Sequence, residues 1–265
     1  MNKTVPFLLL AILFAGAAWY FFMQTPDPVQ ELAPQQITPV LPAPEQQSPT
    51  LPENVEVYPG PEVEPEPLPD PLPALNESDA EVKLALADIT GAGADPVAEY
   101  LVMDQIISRV VASIDSLTSR QVPVHINPIR PAGDKFMIET EGENLVLSEQ
   151  NFARYSGYVT LLQNMDSGSL VTFYRSYYPL FQQAWEENGG VGSFNDRLLE
   201  VIDDLQDTPD VAGPVYLFKP EAVYLFEDPE LEALTAGQKV LVRMGSENAS
   251  VVKEKLAEFK QELNQ

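Results

Sequence analysis

Asp196, Glu200 and Asp203 stand four and three residues apart, so on a helix they project from one side. Asp204 and Asp207 follow closely. Two carboxylates facing each other across a cleft are the acid and base of glycoside hydrolysis. Carboxylates at this spacing also suit a hard cation such as calcium, although no calcium-binding loop is spelled out. One helix cannot place two acids on opposite sides of a sugar, so an enzyme would need a further acid from another element. The plainer alternative is a solvated acidic face near a helix N-terminus, where negative charge is favourable. That is the reading adopted for this candidate polar face.

The other polar candidates are arginines. Arg154, Arg175 and Arg243 lie in aromatic surroundings, and Arg197 follows a glycine-rich break. Arginine beside tyrosine serves as a structural bridge, stacking its guanidinium while pairing a carboxylate, or as an anchor for a partner. The one histidine, His125, has no cysteine or second histidine beside it, and no nucleophile elbow to serve. Its neighbours Val124 and Ile126 suggest a half-buried strand. The Glu-x-x-His pairs of di-iron proteins are absent. No residue stands out as catalytic, and neither a metal site nor a cofactor is expected.

These side chains need a scaffold, and the stretch from Ser167 to Asp204 supplies its centre. Seven aromatic residues lie between Phe173 and Phe194. Leu170, Phe173, Tyr174, Tyr177, Phe181, Ala184 and Trp185 recur at the period of one helix face. After Gly189-Gly190-Val191-Gly192, the residues Phe194, Leu198, Val201, Ile202 and Leu205 do the same. Ser193, with Asp196 three places on, reads as the N-cap of that second helix. Tyr174, Tyr177 and Tyr178 are expected to be packing surface.

Composition bounds the partners. The chain has 265 residues, 25 prolines, no cysteine and a formal charge of -25. Nucleic acid is excluded as a partner, because phosphate binding needs clustered Lys and Arg. Val5 to Met23 is an uncharged apolar run of 19 residues, about 29 Å as a helix and close to a bilayer core. Residues 1–23 are therefore read as a single transmembrane anchor. Lys3 precedes the run and no basic residue follows until Lys83, which puts the rest of the chain across the membrane. A cleaved signal peptide is the rival, since Ala15-Gly16-Ala17 has the small-x-small form. Residues 24–75 hold 15 prolines, nine acids and no base, the composition of an extended, disordered spacer.

Residues 76–265 read as one mainly α-helical domain with one or two small β-hairpins. Ser78-Asp79-Ala80-Glu81 is a capping box opening the first helix. Asp95 and Pro96 open a second, whose broad apolar stripe runs from Val97 to Leu117. A hairpin is expected around Thr140-Glu-Gly-Glu-Asn. Ser148 caps a helix bearing Phe152, Tyr155, Val159, Leu162 and Met165. The near-copies VYLFKPE and VYLFEDPE pair as a second hairpin or lie extended. Glu230 to Met244 is helical with a break at Gly237, and Ser246 caps the last helix.

In this order of elements the chain resembles a bacterial family catalogued as a domain of unknown function, family 3014. The resemblance rests on Arg154-Tyr155, Tyr178-Pro-Leu-Phe-Gln-Gln-Ala-Trp and Phe194-Asn-Asp-Arg-Leu-Leu-Glu-Val-Ile-Asp-Asp-Leu, with Asp228-Pro-Glu-Leu-Glu and Ala236-Gly-Gln-Lys-Val-Leu-Val-Arg-Met-Gly. It covers roughly Leu75 to Leu263. It implies a Gram-negative inner-membrane protein with its C-terminal domain in the periplasm, and it carries over no activity. Two functions follow as expectations. One is an interaction or scaffold module that meets another envelope protein or a cell-wall component. The other is a cell-wall hydrolase using the acids of the central region.

Overall fold

The computed structural model describes residues 72–90, 98, 100–130, 135–163, 166–220 and 223–265. The apolar run 5–23, the spacer up to Pro71, the Gly91-Ala92-Gly93 turn and the Asp95-Pro96 cap lie outside the described residues. The elements, in chain order, are helices α1 (Asp79–Thr90) and α2 (Ile106–Ser116), then strands β1 (Ile138–Glu141) and β2 (Asn144–Leu147). Four helices follow: α3 (Gln150–Ala153), α4 (Ser156–Gln163), α5 (Ser167–Glu187) and α6 (Phe194–Gln206). Strands β3 (Tyr216–Phe218) and β4 (Leu225–Phe226) precede α7 (Pro229–Ala233), α8 (Ala236–Arg243) and α9 (Ser246–Leu263).

Helix α5 is the axis of the domain. Every residue of its expected stripe is buried. It packs against α2 and α9, and also touches α6 and α1. Asp166 caps it by accepting the Ser169 amide N–H at 2.8 Å. Pro179 sits mid-helix on the exposed side, where the carbonyl it leaves without an amide partner can meet water.

Helix α6 is tied to α5 by polar bonds at the glycine break. Ser193 accepts from the Asn195 and Asp196 amides, as its sequence position predicts. Gln182 of α5 accepts the Phe194 amide N–H at 2.8 Å and donates to the Gly192 carbonyl at 3.0 Å. The chain then lies so close over Trp185 that a Cβ on Gly190 would stand 2.0 Å from the indole ring. Inside the joint Phe181 stacks on Phe194, their planes 6° apart.

The two hairpins join into one antiparallel sheet of order β1-β2-β3-β4, where separate hairpins were expected. Val146 pairs with Tyr216 and Leu145 with Leu217, which brings together segments far apart in sequence. One sheet face builds a second core from Leu147, Val215, Leu217 and Phe226 against Val242 of α8.

Several local readings are corrected. The stripe from Val97 to Leu117 is not one helix: Leu101 pairs with Ile129 as an isolated antiparallel bridge, and α2 starts only at Ile106. Gln105 is left-handed at φ 51°, and Asp79 accepts the amides of Gln105 and Ile106 at 2.8 and 2.9 Å. That carboxylate from α1 thus caps α2. Ser78 donates to the Leu75 carbonyl instead of capping α1, and Glu81 accepts from Tyr177.

His125 lies exposed in a 3-10 turn, not in a strand. Ser148 accepts the Gln150 amide N–H at 3.3 Å at the start of α3, as its expected capping role requires, while also donating to Glu139 at 2.5 Å. The helix it opens is split into α3 and α4. The break in the 230–244 helix falls at Thr235, which forms a capping box with Gln238. Gly237 sits inside α8 instead, where a Cβ would meet Leu205 at 2.6 Å. Gly245, not Ser246, precedes α9, and no side chain caps that helix. Packing also begins before Asn76, since Leu75 is buried and Leu72 packs against the core.

Candidate functional site

The acids singled out from sequence do share the exposed side of α6, and cations tie two of them into the fold. Arg197 donates through Nε to Asp115 at 2.8 Å and through Nη1 to Glu200 at 2.7 Å. Its Nη2 reaches the Asp115 carbonyl and the Thr118 hydroxyl at 2.8 and 2.6 Å. Arg197 therefore bolts α6 to the end of α2. Partial burial works against its charge, and Glu200 and Asp115 more than offset that. Asp203 pairs with Lys260 of α9, and Asp196 is exposed at the start of α6. The Glu200 and Asp203 side chains stay 68% and 60% exposed.

The remaining arginines also join elements. Arg175 donates to the Leu263 carbonyl at 3.1 Å, satisfying an end group of α9. Arg154 donates to Asn151 Oδ1 at 3.1 Å. That buried asparagine exchanges two bonds with Met137 and so fixes the lead into β1. Arg243, 2% exposed, places its guanidinium 4.9 Å from the Phe226 ring centroid. Burial pulls it down to about 10, against the opposing pull of Tyr155 and Glu232.

Sequence reasoning missed a cleft of about 630 Å³ beyond the C-terminal end of α6. Its floor is apolar: Val146 and Leu147 of β2, Phe152, Val215, and Leu241 with Val242 of α8. One wall is the loop 208–215, and another is Gly245 with the first turns of α9. Glu139, Glu141, Glu149 and Asp210 stand in the lining, with Lys253 as its one basic residue. None of Asp196, Glu200, Asp203, Arg154, Arg175 or Arg197 lines it.

Local rules explain how the cleft is held open. Glu139 and Glu141 are two apart on β1 and so share a face, and Glu139 lies opposite Val146. The loop is pinned by the Thr208 hydroxyl donating to the Leu205 carbonyl at 2.7 Å, and by Lys253 Nζ donating to the Thr208 carbonyl. Gly245 adopts φ 85°, and a Cβ there would meet the Phe152 ring at 2.8 Å, so only glycine fits where α9 begins. Asn248 then secures that corner by donating to the carbonyls of Phe152 and Met244 at 3.1 and 2.8 Å.

Of the cleft's acids, Glu141 was hidden in what reads as turn chemistry, Thr140-Glu-Gly-Glu, while Glu139, Glu149 and Asp210 lie on other stretches. The available signal was the two-residue period of Glu139 and Glu141 beside a strand pattern. The cleft thus sets apolar side chains beside carboxylates in one concave surface. Ser246 and Ser250 of α9 also stand in the lining.

No curated protein and no solved structure matches the chain. A family model, described as protein of unknown function (DUF3014), matches residues 106–260, more than half of its length. The matched span runs from the start of α2 into the last turns of α9 and contains the whole lining of the cleft. The chain therefore belongs to the DUF3014 family.

Proposed function

We propose that this protein is a membrane-tethered interaction module of the bacterial envelope. Residues 1–23 hold it in the inner membrane, residues from 24 to about 71 let the domain range through the periplasm, and the folded part meets another envelope protein or a cell-wall component. The apolar run with Lys3 before it supports the tether, and the proline- and glutamate-rich composition supports the spacer. The observation that carries the binding role is the cleft, with its apolar floor and carboxylate rim. A cell-wall hydrolase built on the α6 acids has no such support. A general acid needs burial to keep its proton, and Glu200 and Asp203 are exposed and ion-paired.

The test is photo-crosslinking in cells from Val211 and Ala249 in the cleft, with Asp88 of α1 as a remote position. A discrete adduct from the cleft positions alone is expected, in cells where a periplasm-dependent reporter fused after Gln265 is active. Adducts from Asp88 but not the cleft, or a reporter active only in the cytoplasm, would refute the proposal.

A further inference from the structure

Beside the cleft floor, strand β3 forms an exposed aromatic shelf. Strand β3 points Leu217 into the sheet core and leaves Tyr216 and Phe218 on the opposite face, 37% and 43% exposed. Tyr216 is the direct partner of Val146, which belongs to the cleft floor. Glu139 lies across from Val146 in turn, so a carboxylate, an apolar floor residue and an aromatic ring stand in one row across three strands. The Glu227 amide N–H donates to the Tyr216 carbonyl at 3.0 Å, which brings a further acid to the end of that row.

Carboxylates and aromatic faces select the same ligand chemistry. Both attract ammonium and guanidinium groups, the first by charge and the second by the ring quadrupole. Elsewhere the fold uses the same chemistry, with Lys219 Nζ 4.9 Å from the Tyr224 ring centroid and the Arg243 guanidinium 4.9 Å from that of Phe226. Among the described residues of the cleft the one cation, Lys253, is engaged with the Thr208 carbonyl, leaving four acids against it. The chain's own spacer is a poor occupant: residues 24–75 carry nine acids and no base.

Resting on the interaction role above, we propose that the cleft and the Tyr216–Phe218 shelf dock an extended basic segment of a partner protein. Apolar side chains of that segment enter the floor between β2 and α8. Its Lys or Arg side chains pair with Glu139, Glu141 and Asp210 and lie over Tyr216 and Phe218.

Full-length protein in detergent is titrated with two fluorescein-labelled peptides, Arg-Leu-Arg-Leu-Arg and Glu-Leu-Glu-Leu-Glu, and binding is read by anisotropy. The basic peptide is expected to bind at least about tenfold tighter, and to weaken as salt rises. Replacing the cleft acids together (Glu139→Gln, Glu141→Gln, Asp210→Asn) is expected to weaken it about tenfold. Tyr216→Ser with Phe218→Ser should weaken it without changing the salt slope. The control removes equal charge outside the cleft through Asp88→Asn, Glu186→Gln and Glu187→Gln. If the control weakens binding as much as the cleft triple, the attraction is only that of an acidic protein, and the proposal fails. A preference for the acidic peptide overturns it too, pointing to Lys253 and the uncapped start of α9. Either failure alongside a discrete cleft crosslink in cells removes the basic segment while leaving the interaction module in place.

Discussion

Gly190 shows how a single hydrogen atom sets the geometry of the central joint. The Trp185 ring occupies the space a methyl would need, and the Gly190 amide N–H donates to the Trp185 carbonyl at 2.8 Å. Gly190→Ala is therefore expected to destabilise the domain by about 1–3 kcal/mol, because the indole must leave its packing on Phe194. Thermal unfolding reads this directly, and an unchanged melting temperature would count against it. Titration separates the carboxylates by sign. Burial raises the pKa of Asp204, although the Thr235 hydroxyl donated to it works the other way. An acid raised on folding contributes stability when protonated, and that contribution is lost as pH rises through its folded pKa. Asp204→Asn, which stays neutral, is expected to stabilise the protein at pH 7 and to lose that advantage below about pH 4. Asp166 has the opposite sign. The Ser169 hydroxyl and amide lower its pKa, so its contribution is present at neutral pH and lost on acidification through its folded value. Asp166→Asn should lower the melting temperature at pH 7 and make little difference in strong acid.

Helices α5 and α6 could be read almost residue by residue, because their stripes, the glycine break and the Ser193 cap are all local signals. Helix α2 could not. Its start depends on Asp79, 26 and 27 residues upstream, and no local pattern announces a cap delivered from another helix. Asp79→Ala is expected to cost about 1–2 kcal/mol, more than removal of an exposed acid such as Asp88, with the difference read by denaturant unfolding. The sheet was half legible for the same reason. Each hairpin follows from alternation and turn residues, whereas the β2–β3 pairing depends on tertiary packing against Val242. The cleft inherits that difficulty, since β1, the 208–215 loop and α9 meet only after the sheet has formed. Sequence inspection found the acids of α6 because they lie on one helix. It passed over those of the cleft because three separate elements supply them.

At the scale of the whole chain, the boundary between the proline-rich stretch and the folded domain decides what can be removed. Composition places it after Leu75, but Leu75 is buried and Leu72 packs against the same core. Deleting residues 24–71 is expected to leave the unfolding temperature of the domain unchanged. Extending the deletion through Leu75 should lower stability by about 2 kcal/mol or more, the cost of emptying a buried leucine site. Equal melting temperatures for the two deletions would mean that the 3-10 turn Leu75–Glu77 is dispensable.

That entry point also has a mechanical meaning. Any tension on the N-terminal side reaches the domain through Leu72 and Leu75, which are seated beside the first turn of α1. Within a few residues the load meets two cross-links to the interior, Asp79 to the start of α2 and Glu81 to Tyr177 of α5. Pulling is thus shared with α2 and the central α5 before α1 can peel away. The acidic cleft is built from β1, β2, the 208–215 loop, α8 and α9, none of which lies on that path. A pull entering at Leu72 would therefore be borne by α1, α2 and α5 and would leave the shape of the cleft untouched.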